Sequence, residues 1–500
     1  MNHYFRNVFI ICLWLIPIIG FGQKDDIFDP TFSDDGIFRF HVQDWSTITA
    51  VLERSDHAII LAGMAGGDAN FSVMTAALDP SGKLDSSYGI NGVTICSVPG
   101  RQMIYQCGAA LQPDGKLVIA GNCTNDINPY HSSICLFRFL TNGQPDTSFG
   151  VQGISISPFY SGYGTFRQTI AVFVLPDGRL LVCGDKKEVT NYDQQFSVEC
   201  YLSDGTIDTT FGNHGDCSIT PDDDFNDPEC AVLQSDGKII IGGNSYADEP
   251  IILVRINSDG TADTTFGNNG VVNYFPNAYT GYLDDIYITH DGHILCANTT
   301  YDNDYNALGS IAHFNSDGSI DQRYGIYGQE VYDSCGNIIF HRMPDGSFYS
   351  GCDLTHYWAD KSVDSTFGKN GSILLPCYAP VLTIDHSGKL LIGGYASDAS
   401  GDAWISRYVN GPFPQVQDEP LHCYLFPNPA GDECHIQFTQ LTGYPISVAI
   451  CDASGKKINT FTADGNKQQV PFSTAGLPHG IYFILLESNG IHSGLTMIKQ

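Results

Sequence analysis

The chain has few basic side chains for its length of 500 residues. It carries 24 Lys and Arg against 55 Asp and Glu, which gives a net charge of −31. This imbalance excludes a nucleic-acid scaffold that neutralises phosphates, and it argues against binding to an anionic membrane. Charged residues make up 16% of the chain and apolar residues 42%, and 53 residues are Gly, so the composition allows a large core and disfavours a helical protein. The length predicts several domains or a repeat array.

Long hydrophobic runs are also scarce. The run Val8–Ile19 has 12 residues, and no other run approaches the ~18 residues of a membrane-spanning helix. Arg6 precedes this run and Gly20-Phe21-Gly22 follows it, which predicts a secretory signal peptide at residues 1–22. A buried N-terminal strand is the alternative. We therefore expect no transmembrane segment in the mature chain.

The motifs of common catalytic sites are missing. The sequence has no Gly-x-Ser-x-Gly elbow, His-Glu-x-x-His helix, phosphate loop or dinucleotide fingerprint. It has no Cys-x-x-Cys either, which argues against zinc and thioredoxin-like chemistry. The 15 His show no ligand spacing within a repeated element. Motifs therefore give catalysis little support.

The sequence does contain a repeat. The motif Asp-x-x-aromatic-x-x-x-Gly occurs seven times between Asp29 and Gly371, in steps of 43 to 62 residues. Turns such as Asp114-Gly115 and Asp236-Gly237 alternate with it and predict hairpins, because Gly takes the positive φ of a tight turn. Each copy then holds four short strands, named a to d outward from the axis. Such units are typical of β-propeller blades, whereas a solenoid or separate small domains fit less well.

The ends of the repeat predict how the ring closes. The first motif precedes any a strand, whereas the last copy stops at Asn410-Gly411 and lacks a d strand. We expect residues 29–41 to supply that strand beside Ser406, closing a seven-bladed β-propeller over residues 27–411. An open ring or another blade number is the alternative. The sixth copy is short and should be the least regular.

The repeated Asp and aromatic residues suggest two interpretations. Seven identical Asp could form seven ligand sites. The structural interpretation is favoured: each Asp accepts backbone N–H groups at its turn, and each Phe or Tyr fills the space between blades.

The C-terminal residues form a separate region. Pro412, Pro414 and Pro420 mark a linker at residues 412–420, and residues 421–500 have no counterpart upstream. About seven alternating runs separated by turns predict a small Ig-like β-sandwich there. The whole mature chain is thus expected to be all-β.

Two segments resemble known families. The tail resembles the type A sorting domain of the type IX secretion system at Pro427-Asn428-Pro429, Asp452 to Gly455, Gly480 to Tyr482 and Lys499. This resemblance implies a Bacteroidetes-type source, a partner in the type IX secretion machinery, and passage through the periplasm to secretion or outer-membrane display. The repeat segment Ser258–Gly267 is similar in sequence to the delta-60 repeat of bacterial surface proteins, a family with no defined activity.

The variable loops predict a ligand-binding face. The a–b and c–d links are tight turns at one end of each unit, so the longer b–c and d–a links share the other end, where binding usually occurs. Acidic runs there offer the oxygen ligands of Ca²⁺, and aromatic rings suit sugars or peptides. Solvated loops and ordinary packing are the alternatives. The candidate residues are Tyr130, His131, Tyr160, Tyr163, Asp222, Asp223, Asp224, Tyr279, Asp302, Asp304, Tyr305 and Trp358.

The 16 Cys fit an oxidising compartment. Four pairs flank the variable loops and are candidate disulfides: Cys96/Cys107, Cys123/Cys135, Cys183/Cys200 and Cys217/Cys230. Buried free thiols are the alternative, because pairing cannot be read from a sequence.

These observations favour a secreted or cell-surface binding or adhesion module. Its partner would be an extracellular glycan or protein that is neutral, cationic or bridged by Ca²⁺, and no cofactor is evident otherwise. The alternative is an enzyme that degrades extracellular polysaccharide or peptide. A close pair of carboxylates with raised pKa at the channel mouth would favour that alternative.

Overall fold

The computed structural model describes most of the chain. The described residues are 27–67, 70–98, 100–125, 128–157, 168–187, 194–221, 226–245, 251–275, 279–289, 291–301, 307–325, 328–331, 340–343, 346–351, 353–358, 362–375, 377–396, 401–408, 423–426, 430–431, 433–438, 446–452, 456–464, 467, 469–488 and 491–499. The predicted signal peptide and linker lie outside these ranges. The chain divides into two compact parts: the N-terminal part comprises residues 1–342, 348–385 and 389–411, and the C-terminal part comprises residues 412–500 with two short segments, 343–347 and 386–388.

The N-terminal part is built from four-stranded antiparallel units, numbered here by their order in the sequence. After β1 (Ile37–Phe40), units 1 to 3 contain β2 (Trp45–Glu53), β3 (Ile59–Gly67), β4 (Asn70–Leu78), β5 (Val93–Cys96), β6 (Arg101–Leu111), β7 (Leu117–Asn125), β8 (Asn128–Phe139), β9 (Ile154–Ile156), β10 (Thr169–Val174), β11 (Leu180–Lys187), β12 (Gln194–Tyr201) and β13 (Asp216–Ile219). Units 1 and 2 join as one sheet through the single pair Phe71–Met103.

The remaining units continue in the same order. They contain β14 (Asn226–Leu233), β15 (Ile239–Ser245), β16 (Ile251–Ile256), β17 (Val271–Tyr274), β18 (Tyr279–Ile288), β19 (Ile294–Tyr301), β20 (Ala307–Phe314), β21 (Gln329–Val331), β22 (Phe340–Arg342), β23 (Phe348–Ser350), β24 (Asp353–Tyr357), β25 (Ser372–Leu374), β26 (Cys377–Ile384), β27 (Leu390–Ala396) and β28 (Ala403–Arg407). Within units 3 to 6, strands pair in chain order. No helix among the described residues has the length and apolar character needed to cross a membrane.

Tight turns lie at one end of each unit. In unit 4, Gly237 has φ +84°, its N–H donates to Gln234 O at 2.9 Å, and Asp236 Oδ1 accepts the Lys238 N–H at 3.1 Å. This is the local chemistry that the Asp-Gly pairs predict. Because successive strands are antiparallel, the a–b and c–d turns share one end and the b–c and d–a links share the other.

The N-terminal strand completes the last unit. β1 pairs antiparallel with β28, with Ile37 opposite Ser406 and Phe38 opposite Ile405. The sheet order is β1-β28-β27-β26. The predicted pairing beside Ser406 is therefore confirmed, and Phe32 is fully buried in the same core cluster.

The repeated Asp and aromatic residues are structural, as predicted. Asp263 Oδ1 accepts the backbone N–H of Thr265 at 3.1 Å and its hydroxyl at 2.6 Å. Phe266 is fully buried against the next unit, where a Cβ on Gly318 would lie 2.7 Å from its ring. The aromatic ring thus wedges between consecutive units.

An arginine on the c strand contacts both the motif Asp and the motif aromatic ring. The sequence analysis did not predict this contact. Arg255 Nε donates to Asp263 Oδ2 at 2.7 Å, its guanidinium lies 4.4 Å from the Phe266 ring, and its Nη1 donates to Ser316 O of the next unit. Arg138 and Arg407 repeat these contacts in units 2 and 7. Each cation ties its own turn to the following unit.

Unit 6 has the shortest described strands, as its short repeat predicted. β22, β23 and β25 have three residues each.

The C-terminal part contains two sheets. Its strands are β29 (Cys423–Phe426), β30 (Glu433–Phe438), β31 (Ile446–Asp452), β32 (Lys457–Ala463), β33 (Gln469–Ser473), β34 (Gly480–Ser488) and β35 (Ile491–Lys499). The sheet orders are β29-β30-β33 and β32-β31-β34-β35, and Ile436, Val448 and Ile484 are fully buried in one cluster. Lys499 Nζ donates to Gly431 O at 2.8 Å, which fixes the end of the last strand.

Candidate functional site

The a strands of consecutive units lie side by side. β26 contacts β2, and the series continues through β6, β10, β14, β18 and β22. Strands placed in this way line the central channel of a propeller. Their side chains are mostly half-buried, as channel-lining positions require.

A β-bulge recurs in these a strands and adds one residue at the same place. It adds Thr49 in β2, Ile170 in β10, Glu229 in β14 and Asp284 in β18. The paired b strand carries Gly at the bulge in three of these units, because a Cβ on Gly63, Gly184 or Gly243 would lie 1.9–2.0 Å from a carbonyl oxygen of the a strand. Bulges re-aim side chains and often lie beside functional sites.

In units 4 and 5 the added residue is a carboxylate. Glu229 is exposed to solvent, yet burial raises its pKa to about 7, with the charge of Asp227 adding to the rise. Glu229 belongs to β14, and a strands of this kind line the channel of a propeller. Burial also raises the pKa of Asp284 to about 7, and the charges of Glu229 and Asp285 contribute. Desolvation also raises the pKa of the half-buried Asp285, to about 6.

A third carboxylate comes from unit 3. Asp185 lies near the end of β11 and is 3% exposed. Burial raises its pKa to about 7, and the charge of Asp227 adds to this effect. Gln194 Nε2 donates to Asp185 Oδ2 at 2.7 Å, and the Gln168 N–H donates to Oδ1. We call Asp185, Asp227, Glu229 and Asp284 the acidic cluster.

Asp185 departs from the structural pattern of its neighbours. At the same b-strand place, Asn122 Oδ1 accepts the Thr169 N–H at 2.6 Å, and Asn244 Oδ1 accepts the Leu283 N–H at 2.8 Å. These bonds tie units 2 to 3 and 4 to 5. Between units 3 and 4 the corresponding residue is Pro228, which has no N–H to donate. Asp185 therefore cannot make the repeated bridge.

The electrostatics of the acidic cluster is opposite to that of the motif Asp residues. Asp146 is also buried, but donors from Ser148 and Lys116 and the charge of Arg138 lower its pKa to about 2. The donors to Asp185, Glu229 and Asp284 are amide, hydroxyl and backbone groups, including Asn244 and Thr299. Among the described Lys, Arg and His, none forms an ion pair with these three carboxylates. Carboxyl groups whose pKa is raised without a cationic partner are candidates for functional sites.

Most residues nominated from the sequence are outside the described residues. These are Tyr160, Tyr163, Asp222, Asp223, Asp224, Asp302, Asp304, Tyr305 and, in the sorting motif, Pro427, Asn428, Pro429 and Gly455. The backbones of Tyr130 and His131 lie in β8, of Tyr279 in β18 and of Asp452 in β31, but their side chains are not described. Gly480, Tyr482 and Lys499 lie in strands of the tail.

The placement of Trp358 on the variable face is wrong. Its N–H donates to Ser362 O at 2.9 Å, which closes the c–d turn after β24. Its ring packs edge-on against His356, with 5.2 Å between centroids. Since c–d turns lie at the end opposite to the variable loops, Trp358 belongs to the structural end.

The structure joins one of the four candidate disulfide pairs. Cys123 and Cys135 are bonded between β7 and β8, with their Cα atoms 6.2 Å apart. The pair Cys183/Cys200 is wrong, since both remain buried thiols in the core layer shared with unit 4. In both pairs the second cysteine lies two residues beyond the position directly opposite the first on the neighbouring strand. The strand register therefore does not explain why one pair is bonded and the other is not.

The predicted pairs across d–a links are also wrong. Cys217 lies in β13, the outer strand of unit 3, and Cys230 lies in β14, the inner strand of unit 4, and both are thiols. They pack into different core clusters. Cys96 is likewise a thiol in an outer strand, while the side chain of Cys107 lies outside the described part of the chain. Outer and inner strands of neighbouring units are too far apart to be joined by a short bond.

The candidate residues named from the sequence do not include Asp185, Glu229 or Asp284. Two features of the sequence could have revealed these carboxylates. The b strands of units 2 and 4 contain the pair Gly-Asn, at Gly121-Asn122 and Gly243-Asn244. A carboxylate replaces Asn in the Gly-Asn pattern at Gly184-Asp185, and charged residues interrupt the apolar a strands at Glu229 and Asp284.

Sequence comparisons address the two parts separately. Residues 424–500 match the secretion system C-terminal sorting domain. This match indicates export by the type IX secretion system to the cell surface or the extracellular space, as the tail motifs predicted. Residues 112–149, 175–211 and 234–266 match the beta-propeller of a domain of unknown function (DUF5122), which confirms the propeller prediction. A comparison with curated proteins finds no match.

Several solved structures match this chain with low scores. A protein of unknown function from Dyadobacter fermentans is 10% identical over 75% of this chain and 100% of its own, with a TM-score of 0.40. A PL25 ulvan lyase is 12% identical over 72% and 78%, with a TM-score of 0.37. A GH43 endo-arabinanase from Bacillus licheniformis is 12% identical over 61% and 93%, with a TM-score of 0.31. Scores this low carry no argument about function.

Proposed function

We propose that the protein is an extracellular binding or adhesion module. Its chain would comprise a signal peptide at residues 1–22, a seven-bladed β-propeller at residues 27–411, a linker at residues 412–420 and an Ig-like sorting sandwich at residues 421–500. The propeller, closed by its N-terminal strand, would hold an extracellular glycan or protein at the channel mouth near the variable loops.

The observation that carries this proposal is the acidic cluster. Asp185, Glu229 and Asp284 come from three consecutive units: Asp185 is buried, Asp284 is half-buried and Glu229 is exposed, and desolvation by the surrounding protein raises the pKa of each to about 7. Burying ionisable groups without cationic partners costs stability, so a structural role does not explain them. A partner that brings positive charge or hydrogen-bond donors would offset this cost.

A second candidate function is acid–base catalysis on an extracellular polymer. Glu229 and Asp284 support it, because carboxyl groups that titrate near neutral pH can donate and accept protons. A bulge presents each of them, and the charge of Glu229 raises the pKa of Asp284. Carboxylates with raised pKa on channel-lining strands are the feature expected of an enzyme, and we rank this function second because no nucleophile or metal site is described beside them.

Ligand screening with a turnover assay tests both functions. The full mature chain and the Glu229→Gln and Asp284→Asn variants are applied to glycan and peptide arrays and incubated with the same polymers. We expect the wild type to bind a partner and both variants to lose most of the signal. The Asp34→Asn variant is the control, because the Asp34 side chain is 90% exposed. Cleavage of any polymer by the wild type, abolished in the variants, would establish the second candidate instead.

A further inference from the structure

We propose that the acidic cluster binds an organic polycation, a ligand that carries two or more ammonium or guanidinium groups. This inference rests on the proposed function and names the class of ligand that the site takes. It depends on three features of the site: the hydrogen-bonding character of its groups, their spacing, and a break in the repeat.

The first feature is an excess of hydrogen-bond acceptors. Gln194 is 4% exposed, and its Nε2 donates to Asp185 Oδ2 at 2.7 Å. The Oε1 atom of the same Gln194 amide is buried as well, and no described group donates to it. A buried acceptor without a donor destabilises the fold. Carboxylates and an amide oxygen together require a ligand rich in N–H donors.

The second feature is the spacing of the carboxylates. They extend from unit 3 through unit 4 to unit 5, and Asp227 influences both Asp185 and Glu229 while Glu229 influences Asp284. Among the described residues, no three carboxylates of the acidic cluster bring oxygen atoms within 4.8 Å of one another. Ca²⁺ holds its ligands at about 2.3–2.6 Å, so the oxygens around one ion lie within about 5 Å. A row of separated acids instead matches several positive groups on one ligand.

The third feature is the loss of a repeated hydrogen bond at the junction between units 3 and 4. Asn122 and Asn244 bridge consecutive units, whereas unit 3 has Asp185 and the following unit has Pro228. The change to a carboxylate and the loss of the donor occur at one junction, and Gln194 supports the carboxylate there. At this junction a carboxylate stands where the neighbouring junctions have a neutral amide that bridges the units.

Isothermal titration of the full mature chain with spermine tests this inference, with CaCl₂ as the competing probe. We expect spermine to bind the wild type, and Asp185→Asn and Glu229→Gln each to weaken it about tenfold, as the loss of a charged hydrogen bond implies. Asp34→Asn should leave the affinity unchanged. Asp185→Asn restores the residue found in units 2 and 4, so this variant keeps the fold, and melting curves verify that it does.

Two results would overturn the inference. One is a spermine affinity that is equal in the wild type and in Asp185→Asn. The other is stoichiometric Ca²⁺ binding that excludes spermine, which would make the site a metal centre. The array experiment separates the two proposals: capture of a neutral glycan without spermine binding contradicts the polycation but keeps the binding role. Polymer cleavage together with spermine binding would contradict the binding role while keeping the charge preference.

Discussion

Arg407 Nε donates to Asp29 Oδ2 at 2.8 Å and joins residues that are 378 positions apart in the chain. Lys389 Nζ reaches the same carboxylate oxygen at 2.6 Å. Burial acts to raise the pKa of Asp29, but these donors and Thr31 hold it well below its usual range. The contact ties the N-terminal turn to the last unit, where β1 pairs with β28.

Breaking this contact should destabilise the N-terminal part strongly. We expect Arg407→Met to lower the free energy of unfolding by about 3–5 kcal/mol, because it leaves a buried carboxylate short of its cation. Urea unfolding followed by tryptophan fluorescence measures the change. The control is Lys83→Ala, whose partner Asp34 is 3.8 Å away and exposed, and which should cost less than about 1 kcal/mol. Equal effects of the two substitutions would show that the closure is energetically unimportant.

The wedge between units can be tested with two glycines of unit 3. Gly205 and Gly178 have φ of +87° and +86°, so Ala strains the backbone equally at both. A Cβ on Gly205 would lie 2.8 Å from the Phe149 ring, whereas on Gly178 the nearest atom, in Ser203, is 3.5 Å away. We expect Gly205→Ala to cost about 1–3 kcal/mol more than Gly178→Ala, owing to overpacking. Thermal melts of the two variants give the difference, and identical melts would contradict the wedge.

The disulfide map is directly measurable. Alkylation under denaturing, non-reducing conditions followed by peptide mass spectrometry should leave Cys123 and Cys135 unmodified and label Cys183, Cys200 and Cys217. Replacing both bonded cysteines by Ser should cost about 3 kcal/mol, because the bond closes a loop with a sequence separation of 12. A Cys183–Cys200 crosslinked peptide would refute the assignment of those residues as thiols.

The acidic cluster makes a prediction about stability and pH. Burial raises the pKa of Asp185 to about 7, whereas an unfolded Asp titrates near ~4. The folded state thus binds more protons between these values, and its stability decreases as the pH rises from about 4 to about 7. We expect Asp185→Asn to raise the melting temperature at pH 8 and to leave it nearly unchanged at pH 4.

Melting curves across this pH range measure the effect, which should exceed about 1 kcal/mol at pH 8. Asp146→Asn is the matched comparison with the opposite sign, because the pKa of Asp146 is lowered to about 2. That variant should lose stability at pH 8. A destabilised Asp185→Asn at pH 8 would mean that Asp185 is ionised and structurally paired.

Local sequence determined the strands, the turns and the ring closure. Asp-Gly pairs require a positive φ at the glycine, and this requirement depends on adjacent residues only, so Asp236-Gly237 could be read directly. The missing d strand of the last repeat predicted the partner of β1, because an unpaired strand edge has unsatisfied backbone groups. The tail motifs around Gly480 and Lys499 predicted export for the same reason: their information is local.

The tertiary structure alone decided the acidic cluster and the thiol pairing. Asp185, Glu229 and Asp284 belong to different repeats, and their pKa values depend on burial and on charges contributed by other units. Cys217 and Cys230 are close in sequence, but the ring places them at the outer and inner edges of neighbouring units. Burial and long-range proximity arise only when the units pack around their axis, so neither could be read from spacing along the chain.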